Sequence, residues 1–452
     1  MIDSPWKEIY FGNINSTIAL LKLGEEGTLE HEAECYQAMF EFALWQGWFE
    51  ITDLLIQKGV NVNALQYERT LIHQSILDRK LELTQKLIEY GADLTWHYNV
   101  SLTDTPLHRA VYEKQPKIVE LLLDAGVPID LLDCLKITPI EVAIGNGDRE
   151  MVAFLLAHGA AVSIHVAAAI GDLEMIDRYL KAGGNPSIRV GTSYGYPLLF
   201  AAAAHDQIDV AKLLIEAGAE MNLECRQDDF ALLAACRHGS CEMVQLLVEN
   251  GARTDVSNFG GGMVCNAAEH GRTDIVRLVI EEYHLSANER YSYLGYYLFG
   301  LSAAGEAARS GHLETLKLLI SKGAIIPDST MYQAAENGHI EMVKFLAAHQ
   351  VDLNFKAIKE TALVKAASQK NLLMVQTLLS LGADINAGAD TESWTALRHA
   401  AREGDLEMVK FLVASGAAVN AELSGWLTPL ELACDKRHDT VIEFLIKKGA
   451  RV

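Results

Sequence analysis

The sequence predicts an all-α repeat solenoid of stacked helix–turn–helix units, on three observations. A frame of 22 residues recurs fourteen times along the 452-residue chain. Within it, position 6 is Ala in twelve units and position 22 is Gly in twelve. Half of the residues are apolar, yet no run reaches the roughly eighteen residues of a bilayer span. That apolar content is therefore spread over many short elements, each too small to bury its own face, and neighbouring units supply one another's core.

The frame is clearest in "TPLHRAVYEKQPKIVELLLDAG" (105–126), "TALRHAAREGDLEMVKFLVASG" (395–416) and "TPLELACDKRHDTVIEFLIKKG" (428–449). With the Thr as position 1, units start at 3, 38, 70, 105, 138, 162, 197, 230, 262, 302, 329, 361, 395 and 428. Thr at position 1 (Thr105, Thr138, Thr395, Thr428) is expected to cap the first helix. Pro at position 2 (Pro106, Pro139, Pro429) suits a first turn that needs no amide donor. Ala at position 6 lets adjacent helices approach closely. Gly at position 10 (Gly147, Gly171, Gly239, Gly311, Gly404) is suited to stopping the helix in a left-handed conformation. The second helix carries apolar pairs such as Leu121–Leu122 and Leu213–Leu214 and ends at the position-22 Gly. Short polar stretches such as "ADIN" and "AAVN" lead to the next unit.

These residues resemble the ankyrin repeat. T-P-L-H-x-A stands in full at Thr105–Ala110, and G-H-x-E-x-V/L stands at 311–316 and 338–343. The resemblance covers nearly the whole chain, about fourteen repeats, with the first unit weakest because Glu8 stands where Ala is expected. It implies β-hairpin fingers projecting from the helix pairs and a concave face of fingers and first helices that binds other proteins. The chain ends shortly after Gly449, so no separate C-terminal domain is expected, and the polar last helix pair reads as its own cap.

Unit spacing is 32 to 35 residues except for three steps: 24 (138 to 162), 40 (262 to 302) and 27 (302 to 329). "GAAVSIH" and "GAIIPD" are too short to hold a finger. These short connections divide one array, 1–452, into blocks 1–160, 161–326 and 327–452. The 40-residue step contains "NERYSYLGYYLFG" (288–300), with Tyr291, Tyr293, Tyr296, Tyr297 and Phe299. It reads as a lengthened finger packed over the neighbouring short connection, or alternatively as a tyrosine-bearing recognition loop. Tyr283 replaces the usual terminating Gly there, so the regular turn is expected to be abandoned.

The chemistry of enzymes is missing from the motifs. There is no G-x-x-x-x-G-K-[ST], H-E-x-x-H or G-x-S-x-G, and Gly191, Gly195 and Gly260–Gly262 follow no strand leading into a nucleotide-binding helix. Cys236, His238 and Cys241 lack a fourth ligand at zinc spacing and read as structural. Neither a metal nor a cofactor is expected. Seven cysteines without a C-x-x-C pair, and a charged N-terminus, point to a reducing, cytoplasmic setting. Net charge is −22, and residues 1–150 hold 24 acids against 12 bases, which argues against nucleic acid as partner. Residues 302–452, with 18 acids and 16 bases, are almost neutral.

In an ankyrin-like stack, position 8 faces the concave side at the end of the first helix. That column runs Tyr10, Trp45, Leu77 and Tyr112, then Gly145, Ala169 and Ala204, then Arg237, Glu269, Arg309, Glu336, Ser368, Arg402 and Asp435. The bulky quartet reads as a partner-binding strip, exposed Trp and Tyr being typical interface anchors; the alternative is an N-terminal cap over imperfect repeats. The charged run reads as an inter-repeat ion-pair ladder. The expected function is a non-catalytic adaptor, scaffold or inhibitor, monomeric and off the membrane. Its partner is read as a protein segment that is basic with apolar anchors. An architectural, self-associating spacer and a pathogen-type effector acting on host proteins are the alternatives.

Overall fold

A computed structural model describes residues 32–66, 69–96, 105–191, 195–225, 229–258, 260–291, 301–357, 360–387, 394–420 and 427–451. They form two compact units that divide between Val210 and Ala211. The first contains α1 (Glu32–Gln46), α2 (Phe49–Gln57), α3 (Leu71–Leu77), α4 (Leu81–Glu89), α5 (Pro106–Tyr112) and α6 (Pro116–Asp124). It continues with α7 (Pro139–Gly145), α8 (Arg149–Ala157), α9 (Ile164–Ile170), α10 (Leu173–Lys181) and α11 (Leu198–Ala204). Helix α12 (Ile208–Glu216) contains the division. The second unit holds α13 (Ala231–His238), α14 (Cys241–Glu249), α15 (Met263–Glu269), α16 (Thr273–Glu281), α17 (Ala303–Arg309), α18 (Leu313–Ser321) and α19 (Ser329–Glu336). It ends with α20 (Ile340–Ala348), α21 (Ala362–Ser368), α22 (Leu372–Ser380), α23 (Ala396–Arg402), α24 (Leu406–Ala414), α25 (Pro429–Asp435) and α26 (Asp439–Lys447). The described residues are thus an all-α repeat solenoid of helix pairs, odd-numbered helices being the first of each pair.

First helices pack on first helices, from α3 to α11 in one unit and from α13 to α25 in the other. The position-6 alanines sit at these crossings: Ala110, Ala143, Ala235, Ala307, Ala366 and their equivalents are all buried. Ser75 is the exception in the described column. It is also fully buried, and its hydroxyl is satisfied by Ile72 O and Thr84 Oγ1, each at 2.8 Å. A buried hydroxyl costs little when its hydrogen bonds are made.

The turn between the helices is left-handed at position 10 in all but one described unit, whether the residue is Gly147 (φ 63°), Lys114 (φ 54°) or Lys370 (φ 58°). Gly239 departs from expectation: at φ −80° and ψ −160° it is extended, because α13 runs one residue longer and Ser240 then caps α14. The turn at Tyr283 is displaced rather than abandoned, since His284 takes the left-handed position at φ 57°. Helix α1 begins at Glu32, six residues before the frame start at Ala38, because no Thr, Pro or Gly interrupts the helix-forming run.

The caps differ from one repeat to the next. Thr395 and Thr428 accept from the N–H groups of Arg398 and Glu431 as expected. The side chain of Thr105 caps nothing; it meets His108 Nδ1 at 2.8 Å, while His108 Nε2 donates to Ile137 O at 2.9 Å in the following finger. In the repeat whose position 1 is Gly262, the missing cap comes from the next connection. Glu289 Oε2 accepts from Cys265 N at 2.8 Å at the start of α15.

Between several helix pairs, an Asn or Asp of one connection accepts from the backbone of the next. Asn63 takes Asp93 N (2.8 Å), Asn222 takes Arg253 N (2.8 Å), Asn354 takes Asp384 N (2.9 Å) and Asn420 takes Arg451 N (2.8 Å). Asn288, the first residue of the aromatic segment, makes the same bond to Ile325 N (2.8 Å) and donates to Gly323 O (3.0 Å). The recurring Asn of "ADIN" and "AAVN" is therefore a staple between repeats.

Among the described residues, the fingers show two short ladders and three single bridges. Antiparallel ladders pair β1 (Leu65–Gln66) with β2 (Arg69–Thr70) and β3 (Arg290–Tyr291) with β4 (Leu301–Ser302). Single bridges join Arg189 to Pro197, Asn258 to Gly261 and Ala357 to Glu360.

Replacing Ala366, which is fully buried between first helices, with Leu is expected to overpack the crossing and cost about 1–3 kcal/mol. Lys370→Gly relieves a left-handed lysine and is expected to stabilise by a few tenths to about 1 kcal/mol. Urea denaturation of the two variants beside the parent checks both signs.

Candidate functional site

The strip expected from the sequence lies at the C-terminal ends of α1, α3 and α5. Tyr10 falls outside the described residues. Trp45 and Leu77 are half-buried, and Tyr112 is 49% exposed. The burial of α5 isolates Tyr112: all six preceding helical residues, Pro106 to Val111, are buried. Adjacent first helices α3 and α5 are packed together, which places Leu77 and Tyr112 at the same end of neighbouring helices.

Two features of the strip were not expected. Phe42, 42% exposed, lies one helical turn before Trp45, and its ring meets Trp48 edge-on with centres 5.5 Å apart. The i, i+3 spacing of Phe42 and Trp45 is the sequence signal that marks them as one face. Second, the rings carry their own cations. Lys80 Nζ lies 4.8 Å from the centre of the Trp45 ring and donates to Trp45 O at 3.5 Å. The Arg109 guanidinium lies 5.4 Å from the Tyr112 ring and reaches Glu113 at 3.4 Å. Such contacts hold a ring in place while leaving part of its face to solvent.

Beyond Tyr112 the face closes. The six residues between α8 and α9 contain no strand or bridge. Helix α11, two repeats on from α7, packs directly against it. Tyr196, in the finger before α11, donates from its hydroxyl to Glu141 O at 2.7 Å and meets His165 edge-on at 5.8 Å. A Cβ on Gly145 would fall 3.3 Å from the Tyr196 ring, and one on Gly191 (φ 62°) would fall 2.5 Å from Leu135 O. Gly145 thus lies in close approach to the Tyr196 ring, Ala169 and Ala204 are buried, and Gly191 packs against the backbone of Leu135. His165 bonds Ile188 O at 3.2 Å and His205 bonds Ile144 O at 3.2 Å, both inside this closed section. Burial pushes each imidazole down to about 4, against the opposing pull of its carbonyl partner.

In the second unit the charged column is only partly a ladder. Arg309 spans repeats to Glu269 at 2.6 Å and also holds Glu306 in its own helix. Arg237 turns instead to Asp229, just before its own helix, and to Asn266 Oδ1 at 2.8 Å. Glu336 is taken by Lys365 of the next repeat at 2.9 Å. Acids near each arginine and a lysine of the next repeat thus take the place of the position-8 neighbour in two of the rungs. Cys236 is fully buried, which pushes its thiol far up, and Cys241 Sγ lies 3.8 Å from Asp274 Oδ2. Among the described residues no group of three His, Cys, Asp or Glu is arranged to hold a metal ion. No helix among them is long and apolar enough to cross a membrane.

Of the aromatic segment, Tyr291 lies on the β3–β4 ladder at the base of the connection. Tyr293, Tyr296, Tyr297 and Phe299 lie outside the described residues.

A family profile described as "Ankyrin repeats (3 copies)" matches residues 81–164, 164–258, 232–330, 305–389 and 386–452. The chain is similar to the Ankyrin repeat and KH domain-containing protein mask-1 of Caenorhabditis elegans, 32% identical over 357 residues, 76% of this chain and 10% of that protein. It is also similar to the Nuclear factor NF-kappa-B p105 subunit of Gallus gallus, 34% identical over 98 residues, 21% of this chain and 10% of that protein. A third relative is NF-kappa-B inhibitor alpha of Sus scrofa, 27% identical over 158 residues, 34% of this chain and 44% of that protein. The chain thus spans a tenth of the first two relatives and less than half of the third.

Because both buried histidines are neutral in the fold and titrate at their ordinary value, 6.5, when unfolded, the unfolded chain binds more protons between about pH 6.5 and 4. Stability of the first unit is expected to fall as pH drops through that window, with a slope approaching two protons. Melting curves across the window, beside a His165→Gln/His205→Gln variant with a flattened slope, check this.

Proposed function

The chain belongs to the ankyrin-repeat family, and on that premise we propose that it is a non-catalytic protein-interaction module. It holds a partner protein on the first-helix face of its N-terminal unit, at Phe42, Trp45, Leu77 and Tyr112. The observation that carries this reading is Tyr112, a half-exposed ring braced by Arg109 at the end of an otherwise buried helix. A cap over weak repeats would bury this ring. An interface anchor keeps its face open and its rotamer held before the partner arrives.

Family relatives support the class of function. One is named as an inhibitor of another protein and one as a subunit, so adaptor and inhibitor roles both fit a surface that works by occupancy. The strip's own cations revise the chemistry of the partner. A partner lysine arriving at Trp45 would meet Lys80 already seated on the ring. The fitting segment instead offers an apolar side chain to the Tyr112 ring and a carboxylate within reach of Lys80. We place this activity in a reducing, cytoplasmic setting, consistent with six free thiols among the described residues.

Tyr112→Ala combined with Trp45→Ala is expected to abolish capture of the partner from lysate, with melting temperature changed by no more than a few degrees. Capture is read by mass spectrometry against the parent chain. Retained capture together with a large drop in melting temperature would assign these rings to capping instead.

A further inference from the structure

The position-8 arginines of the second unit are not alike. Arg237 and Arg309 are each neutralised within the chain, by Asp229 and by Glu269 with Glu306. Arg402 is exposed, and its guanidinium meets no carboxylate among the described residues. It lies 5.3 Å from the ring centre of Trp394, in the finger that leads into its own helix. Arg398, buried beneath, lies 5.1 Å from the same ring, and the His399 ring lies 4.6 Å away. The backbone of Arg402 is fixed as well, its carbonyl accepting from His438 Nε2 at 2.9 Å.

We propose that Trp394, Arg402 and Leu427 form a second docking surface, on the repeats starting at 395 and 428, for an acidic segment of a protein partner. A guanidinium held over an indole by a cation–π contact still has N–H donors to offer a carboxylate, whose two oxygens it can pair in a fork. Leu427 occupies in the next finger the place that Trp394 occupies in its own, immediately before the capping Thr, and is 47% exposed. The repeat-equivalent Leu427 thus offers an exposed apolar side chain on the following repeat, and Trp394 stands against the Arg402 guanidinium. The nearby acids are engaged or displaced from it: Glu360 lies 3.5 Å from His399 Nε2, and Asp435 pairs with Lys436 at 3.3 Å. With Glu403 adjacent and exposed, the site suits one or two carboxylates rather than a run of phosphates. Residues 302–452, at 18 acids and 16 bases, are also the third of the chain least repulsive to an acidic partner. This surface is independent of the Trp45–Tyr112 strip.

The test is fluorescence anisotropy of a labelled oligo-glutamate peptide carrying one leucine, titrated with the full chain at low and moderate salt. Binding is expected, weakened roughly tenfold or more by Arg402→Ala and less by Arg402→Lys, with the melting temperature of each variant unchanged. Arg402→Glu should reverse the preference toward an oligo-lysine peptide. The Trp45→Ala/Tyr112→Ala variant should bind the acidic peptide as the parent does. Absence of binding, binding indifferent to Arg402→Ala, or tighter binding of an oligonucleotide than of the peptide would each overturn the proposal.

Discussion

Everything in the fold depends on how closely one first helix can approach the next. Each helix is seven or eight residues long in most repeats and cannot hold itself together, so its stability comes from neighbours. A residue larger than Ala at position 6 would separate the helices and open voids along the whole row. The Asn staples between connections and the His108-type bonds to the next finger depend on that spacing, because a hydrogen bond tolerates only a few tenths of an ångström. Close packing sets the distance, and the polar bonds then select the register.

The same constraint explains why one face of the first unit is open and another closed. The connection between α2 and α3 carries the β1–β2 ladder, and Trp45 and Leu77 stand half-buried at the ends of the first helices on either side of it. Where the connection before α9 is too short for a finger, α11 and its Tyr196 finger reach across to α7, and only Gly and Ala fit the column. The short connection thus coincides with the stretch of the column where Ala169 and Ala204 are buried. The residues respond accordingly: aromatic and aliphatic side chains on one side, Gly145, Ala169 and Ala204 on the other.

The repeat and its helices were legible because each position does the same job in every copy, and a periodic signal survives local noise. Ala at position 6 and the left-handed turns are instances. Less legible were features in which a residue acts outside its own repeat. Tyr196 completes the surface of a helix more than fifty positions earlier, and Glu289 caps a helix that lacks its own Thr; neither carries a local mark. Nothing local in the sequence marks Lys80 and Arg109 for aromatic contact, and only the fold sets them beside the rings. Charge counting averages over a hundred and fifty residues and carries no mark of the contacts within a few ångströms of each ring.

The most direct test of this division is hydroxyl-radical footprinting of the free chain, read residue by residue by mass spectrometry. Tyr112 and Phe42, open on the strip, are expected to oxidise readily, while Tyr196 and Phe200, in the closed section, stay protected. Equal reactivity of Tyr196 and Tyr112 would contradict the account, because the face would then be continuous and the small residues of the column would have no packing to explain them.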